Sequence, residues 1–142
     1  MTPAELRDRL AVFAAEVAKF AAPLLEKAAT YDAARQLIRS AASAADHHRS
    51  AGRARSHAEF TAKIGVALDE ADEARSWLEY LYRTEFVPAA RLRPFRGEAQ
   101  EVVAILSKSH ATARQCRDRN RPKRLNLRQR RRRNNDASDP SP

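Results

Sequence analysis

The sequence has few of the residues that build strands, tight turns or disulfides. Its 142 residues include three Gly and one Cys, and no segment alternates apolar and polar side chains. Strands are therefore not expected, and Cys116 cannot form an internal disulfide, which suits a reducing cytoplasm. No apolar run approaches the roughly 18 residues that a membrane span needs. The N-terminus is charged at Glu5, Arg7, Asp8 and Arg9 and lacks a signal-peptide core. We predict a cytoplasmic protein.

What the sequence does contain is helical periodicity, which is clearest between residues 56 and 81. Apolar residues recur there in alternating steps of four and three, the a/d spacing of a helix in a left-handed bundle. Ser56 and Glu59 match a capping box, in which Ser56 accepts from the Glu59 backbone N–H and the Glu59 carboxylate accepts from that of Ser56. We therefore predict a helix that begins here. Its buried seam is Phe60, Ile64, Ala67, Ala71, Ala74, Leu78 and Leu81.

An N-terminal helix shows the same spacing. Thr2 and Glu5 form a second capping-box pattern, with Pro3 at the first helical position, where a missing N–H has no cost. Pro23 should end this helix near Ala22. Its predicted seam is Leu6, Leu10, Phe13, Val17, Phe20 and Leu24.

Two further helices complete a predicted all-α fold. One spans about Tyr31 to Gly52 and should pack closely against a neighbour, because its face is mostly alanine. The other runs from about Pro88 to Cys116, and Pro94 should kink it or delay its start to about Phe95. Short connections favour an antiparallel up-down four-helix bundle over residues 1–116. The two predicted faces are Ala34, Leu37, Ile38, Ala41, Ala45 and His48, and Leu92, Ala99, Val102, Val103, Leu106 and Ala113.

Positive charge is concentrated at the C-terminal end. The chain has 27 Lys and Arg against 18 Asp and Glu, and residues 117–142 alone carry a net charge of +7. This tail has almost nothing to bury, so we predict that it is disordered. Its composition suits phosphate neutralisation without sequence specificity, since it lacks aromatic residues for base stacking; a solubilising tail without a partner is the alternative. The candidate nucleic-acid-binding residues in it are Lys123, Arg124, Arg128, Arg130, Arg131, Arg132 and Arg133.

The segment from Leu37 to Leu81 resembles a known family. The matching features are the Leu-Ile-Arg-Ser-Ala-Ala-Ser stretch at 37–43, the Arg53-Ala54-Arg55-Ser56 turn, Glu59-Phe60, Lys63, Glu70, Glu73 and Trp77-Leu78. They resemble the small bacterial four-helix bundle proteins encoded in intervening sequences of large-subunit ribosomal RNA genes, which are related to accessory proteins of diversity-generating retroelements. The resemblance implies a homopentamer with nucleic acid, a reverse transcriptase or another protein as partner. His47 and Ser50 stand where the family usually has asparagine and glutamate.

No residue constellation predicts catalysis, a metal site or a cofactor. His47 and His48 are adjacent, so on a helix they point about 100° apart and cannot easily share a metal. No inward-facing pair of Glu-x-x-His motifs is present, and no nucleophile lies beside a base and an orienting group. The acidic residues Asp69, Glu70, Asp72 and Glu73 favour ion pairs with arginines of a neighbouring helix or subunit over a metal ion.

Two surfaces are candidates for partners. Glu70, Glu73, Trp77 and Tyr80 flank the seam of the 56–81 helix, and this aromatic and acidic face is either solvent-exposed packing or an oligomer interface, which the resemblance favours. Basic side chains also gather between the second and third helices, as a nucleic-acid surface or a solvated turn. We call Arg49, Arg53, Arg55 and Lys63 the basic corner.

The predicted function follows from these surfaces. The chain is expected to be a non-enzymatic oligomeric bundle that binds RNA or DNA with low sequence specificity, as an accessory to a nucleic-acid enzyme such as a reverse transcriptase. The alternative is a structural or protein-interaction module with an incidental tail.

Overall fold

Four helices form the protein in the computed structural model, which describes residues 1–120. They are α1 (Pro3–Ala21), α2 (Ala28–Ala51), α3 (His57–Arg83) and α4 (Ala89–Asn120), with a short 3₁₀ turn at Ala22–Glu26. No strand occurs within residues 1–120, and none of the helices described there is long and apolar enough to cross a membrane. The candidate residues from Lys123 to Arg133 lie outside the described residues. The predicted four-helix architecture is confirmed.

Successive helices run antiparallel around one core. The rings of Phe20 and Phe95 lie 4.5 Å apart, which places the end of α1 beside the start of α4. α3 packs between α2 and α4, and α2 also packs against α1. The core contains large side chains such as Leu10, Leu37 and Leu78, all fully buried, together with many alanines from α2 and α3.

α1 begins and ends as its sequence predicts. Thr2 accepts a hydrogen bond from the Glu5 backbone N–H (3.1 Å), and the Glu5 carboxylate accepts one from the Thr2 N–H (2.6 Å). The helix ends at Ala21, and Leu24 in the 3₁₀ turn stays buried. The Thr30 hydroxyl donates to the Leu24 carbonyl at 2.7 Å, which ties this turn to the start of α2.

The start of α3 differs by one hydrogen bond from the predicted capping box. Ser56 accepts from the Glu59 backbone N–H at 3.1 Å, as expected. The Glu59 carboxylate, however, accepts from the N–H of Arg55 at 3.2 Å rather than from that of Ser56. The predicted seam of α3 is buried except for Phe60, which is half-buried near the end of the bundle.

The predicted face of α2 was partly wrong. The helix begins at Ala28 rather than Tyr31, and Ile38 and Ala45 are only half-buried, whereas Ser40 and Ala44 are fully buried. α2 contacts both α1 and α3, so its buried surface is wider than one seam and centred differently. Ser40 is tolerated inside because its hydroxyl donates to the Leu37 carbonyl at 3.2 Å.

α4 starts close to the predicted Pro88 and extends beyond the predicted Cys116. It begins at Ala89, so Pro94 lies inside the helix and does not delay its start to Phe95. Pro94 is exposed and lies near the N-terminal end of α4. Few backbone hydrogen bonds can be lost there, because the first N–H groups of a helix have no partner within it. The predicted buried face of α4 is buried except for Val103, which is half-buried. The helix continues to Asn120, four residues beyond Cys116.

Candidate nucleic-acid interface

The basic corner lies on an ordered turn between α2 and α3. Backbone N–H groups of Gly52, Arg53 and Ala54 donate to carbonyls three residues earlier, at 3.0–3.2 Å. Arg53 and Arg55 therefore project from a hydrogen-bonded turn, and both are exposed. Neither makes an ion pair with any of residues 1–120. Their guanidinium groups are available to a ligand.

The other two members of the corner already have partners. Arg49 pairs with Asp46 one helical turn earlier, and this contact lowers the pKa of the Asp46 carboxyl. Lys63 lies 3.4 Å from Glu59 and donates to the Ser50 hydroxyl. Ser50 therefore accepts a hydrogen bond from Lys63 across the α2–α3 turn.

The two adjacent histidines have structural surroundings. His47 Nδ1 is 2.9 Å from the Ser43 carbonyl one turn earlier. His48 is buried, and its Nδ1 has no hydrogen-bond partner among residues 1–120. Burial, with a smaller contribution from Arg7, lowers the pKa of His48, which keeps its ring neutral. Within the described residues no group of acidic, histidine or cysteine side chains could hold a metal ion.

A single side-chain contact places the basic corner beside the end of α4. His57 Nε2, in the first turn of α3, lies 2.8 Å from the Ala113 carbonyl of α4. Beyond Ala113, α4 carries Arg114, Arg117 and Arg119, all exposed. The basic corner and the last turns of α4, from which residues 121–142 continue, therefore share one end of the bundle.

The candidate interface residues on α3 mostly contact their own chain. Arg39 of α2 reaches Glu70 at 3.1 Å and Glu73 at 2.7 Å, which is the expected pairing with a neighbouring helix. Its hydrogen bond lowers the pKa of Glu73. Trp77 is half-buried against the core, and its ring meets that of Tyr80 edge-on at 5.7 Å. Tyr80 stays 43 % exposed, so the aromatic part of the face is open.

A second basic surface was missed by the sequence reasoning. A groove of about 690 Å³ runs between α3 and α4, and we call it the arginine groove. A signal existed, because basic residues recur along both helices at spacings near one or two turns. What periodicity does not reveal is that these two rows face each other. The groove is lined by Arg75, Ser76, Glu79, Arg83, Arg93, Arg96, Gly97 and Gln100.

Comparison with known proteins agrees with the fold. The family model of the 23S rRNA-intervening sequence protein matches residues 5–108. The crystal structure of a protein of unknown function from Bacteroides thetaiotaomicron, assigned to the S23 ribosomal protein family, superposes with a TM-score of 0.69 at 28 % identity. The match covers 74 % of this chain and 97 % of that one. No curated protein matches the chain significantly.

Proposed function

The chain belongs to the 23S rRNA-intervening sequence protein family, and from this premise we propose that it is a non-enzymatic, oligomeric bundle that binds nucleic acid with low sequence specificity. The contacts are the basic corner and the arginine-rich tail, and the protein serves as an accessory to a nucleic-acid enzyme such as a reverse transcriptase.

The observation that carries this proposal is the grouping of basic side chains at one end of the bundle. The His57 to Ala113 contact brings Arg53 and Arg55 to the end where α4 carries its own exposed arginines. The tail that follows contributes most of the excess charge of the chain, which totals +9. Phosphates are the ligands that such clusters attract, through both Coulomb attraction and counterion release.

Low sequence specificity follows from the chemistry of these contacts. Arginine reads base sequence when it is positioned against base edges in a groove, whereas contacts with phosphates position a strand without reading it. The tail sequence contains no aromatic residue on which a base could stack. We therefore expect RNA oligonucleotides of unrelated sequence to bind with similar affinity.

Binding can be tested by fluorescence anisotropy with two labelled single-stranded RNAs across a salt series. If the four arginines of the 130–133 run, Arg53 and Arg55 each engage a phosphate, these six contacts contribute a logarithmic salt slope of about −4.2, which corresponds to a loss of about three hundredfold between 50 and 200 mM. Replacing the four arginines of the 130–133 run by glutamine should reduce that slope by about 2.8. Arg53→Gln/Arg55→Gln should reduce it by about 1.4.

A charge-matched control is Lys19→Gln/Arg35→Gln, since both residues are exposed and lie on α1 and α2 outside the basic corner. This control should retain the slope of the wild-type chain. Absence of RNA binding by the wild-type chain would contradict the proposal and favour a structural or protein-interaction module with an incidental tail.

The oligomeric part of the proposal rests on Trp77 and Tyr80. They form an edge-to-face aromatic pair beside the core seam, and Tyr80 is substantially exposed. Aromatic side chains supply much of the binding energy of protein interfaces. Sedimentation equilibrium should reveal an oligomer, most simply a pentamer, that Tyr80→Ala weakens without loss of helicity. A wild-type monomer at micromolar concentration would contradict this part alone.

A further inference from the structure

We infer that the arginine groove between α3 and α4 binds the phosphates of a nucleic-acid strand, as a contact separate from the basic corner and the tail. The inference rests on the proposed function and adds a site to it. The groove lies in the half of the bundle that contains the α3–α4 turn, whereas the basic corner lies at the opposite end.

The groove contains more guanidinium groups than carboxylates. Four arginines line it against the single carboxylate of Glu79, which gives the lining a net charge of +3. Glu79 is shared between Arg83 at 3.0 Å and Arg96 at 2.6 Å. Arg93 has no acidic partner among residues 1–120. The groove therefore has positive charge that its own side chains do not neutralise.

The opposite ratio holds at two other contacts between helices. Arg9 lies between the carboxylates of Glu98 and Glu101, and Arg39 likewise faces two carboxylates. Arg75, at the edge of the groove, pairs with Asp72 on its own helix. Even with Asp72 counted, arginines in and beside the groove outnumber carboxylates by two. Arg9 and Arg39, which link helices, each contact two carboxylates. The arginines of the groove have too few carboxylate partners to neutralise their charge.

One arginine of the groove is held in place before any ligand arrives. The Arg96 guanidinium lies 3.8 Å from the ring centroid of Tyr82 and donates one hydrogen bond to Glu79. Most of its five N–H donors stay free for the oxygens of a phosphate, which a planar guanidinium can bind in pairs. Hydrogen bonds from Arg96 first, and from Arg83 second, lower the pKa of Glu79.

The shape of the groove suits a repeating anion. Arg75 and Arg83 are eight residues apart on α3, which is about 12 Å at 1.5 Å per residue. A stacked strand with one phosphate per roughly 3.4 Å would place about three phosphates along that length. The α4 side of the groove is open at Gly97, where a Cβ would meet no atom within 4 Å.

The test uses the full chain in two backgrounds: wild-type, and a variant with the 130–133 arginine run replaced by glutamine. Arg83→Gln/Arg93→Gln is compared in each with Lys19→Gln/Arg35→Gln. The pairs are matched, since Lys19 has a carboxylate partner at 3.4 Å as Arg83 does at 3.0 Å, and both pairs remove two charges. The probe is a labelled single-stranded RNA, and circular dichroism confirms that each variant stays helical.

The salt slope of Arg83→Gln/Arg93→Gln should be shallower by about 1.4 than that of its parent chain in both backgrounds. Its loss of affinity relative to that parent should therefore be about sevenfold smaller at 200 mM salt than at 50 mM. Glu79→Gln should have the opposite effect and tighten RNA binding, because it removes the only carboxylate of the lining.

Three results would overturn the inference. Equal salt slopes for the groove and control variants, with the wild-type chain binding RNA, would show that the groove does not bind RNA. The proposed function would remain. A groove variant that loses binding of polyglutamate but keeps that of RNA would identify the groove as a site for acidic protein segments. No RNA binding by the wild-type chain would overturn the proposed function and the groove together.

Discussion

α3 packs against two helices, α2 and α4, and the two interfaces differ in packing and in charge. Towards α2, alanines are buried on both helices, and Arg39 crosses to a pair of carboxylates on α3. Towards α4, the outer edge is an open groove with four arginines around Glu79. One side of the helix is closed by small residues and by one arginine that contacts two carboxylates. The other side keeps both space and positive charge.

If the groove binds phosphates as we propose, similar ion pairs have different roles in the two interfaces of α3. An arginine between two carboxylates has its charge compensated and mainly links helices. A carboxylate between two arginines leaves a net positive field that a ligand can use. The ratio of arginine to carboxylate within a contact therefore says more about function than the presence of ion pairs does.

The largest expected effect is a loss of stability when α2 is overpacked. Ala44 is fully buried, so Ala44→Leu should lower the free energy of unfolding by about 1–3 kcal/mol, measured by urea denaturation. Ala45 is the matched control, because it is adjacent but only half-buried, and Ala45→Leu should cost less. Equal losses would place the two residues on equally packed faces.

A second substitution, on the α4 side, should raise the free energy of unfolding rather than lower it. Gly97 lies in the interior of α4 with open space around it, so Gly97→Ala should raise the free energy of unfolding by about 0.4–1 kcal/mol. Gly65→Ala is the control within the α3–α4 pair, since its Cβ would come within 3.0 Å of His110 Nε2. Thermal unfolding of both variants should show the gain only at Gly97.

Removing the link between α2 and α3 should have a smaller effect. Arg39→Gln leaves Glu70 and Glu73 without their shared cation and should lower the free energy of unfolding by about 0.5–1 kcal/mol, as expected for partly exposed pairs. Arg75→Gln removes only a pair within one turn of α3 and should be nearly neutral. The loss at Arg39 should shrink at high salt; a salt-independent loss would point to packing instead.

The smallest expected effects are in carboxyl titrations. Glu73 and Glu79 both have lowered pKa values in the folded protein, due first to Arg39 and to Arg96 respectively. Their contributions to stability are therefore present above the ordinary pKa of glutamate and are lost as the pH falls through the lowered values. NMR titration should show that Arg39→Gln raises the pKa of Glu73 and leaves that of Glu79 unchanged. A shift at both would show that the two contacts are coupled.

Sequence reasoning succeeded where a feature depends on residues within one helix. The Thr2–Glu5 capping box and the seam of α3 are local patterns, and both appear in the structure apart from the outer Phe60. It was less successful for α2, because that helix contacts two neighbours and a single stripe underestimates its buried surface. The same limit hid the arginine groove, since its lining comes from two helices whose relative rotation no spacing specifies.

The contact between His57 and Ala113 also divides α4 into two segments that should differ in local opening. After Ala113 every residue up to Asn120 is exposed, so only backbone hydrogen bonds and the C-terminal arginines support the final turns. Those cations favour the helix by facing its negative C-terminal dipole. A bound phosphate strand would compete for them, so binding should speed amide hydrogen exchange in these turns while the rest of α4 stays protected. The end of α4 would then exchange local helix order for ligand contacts.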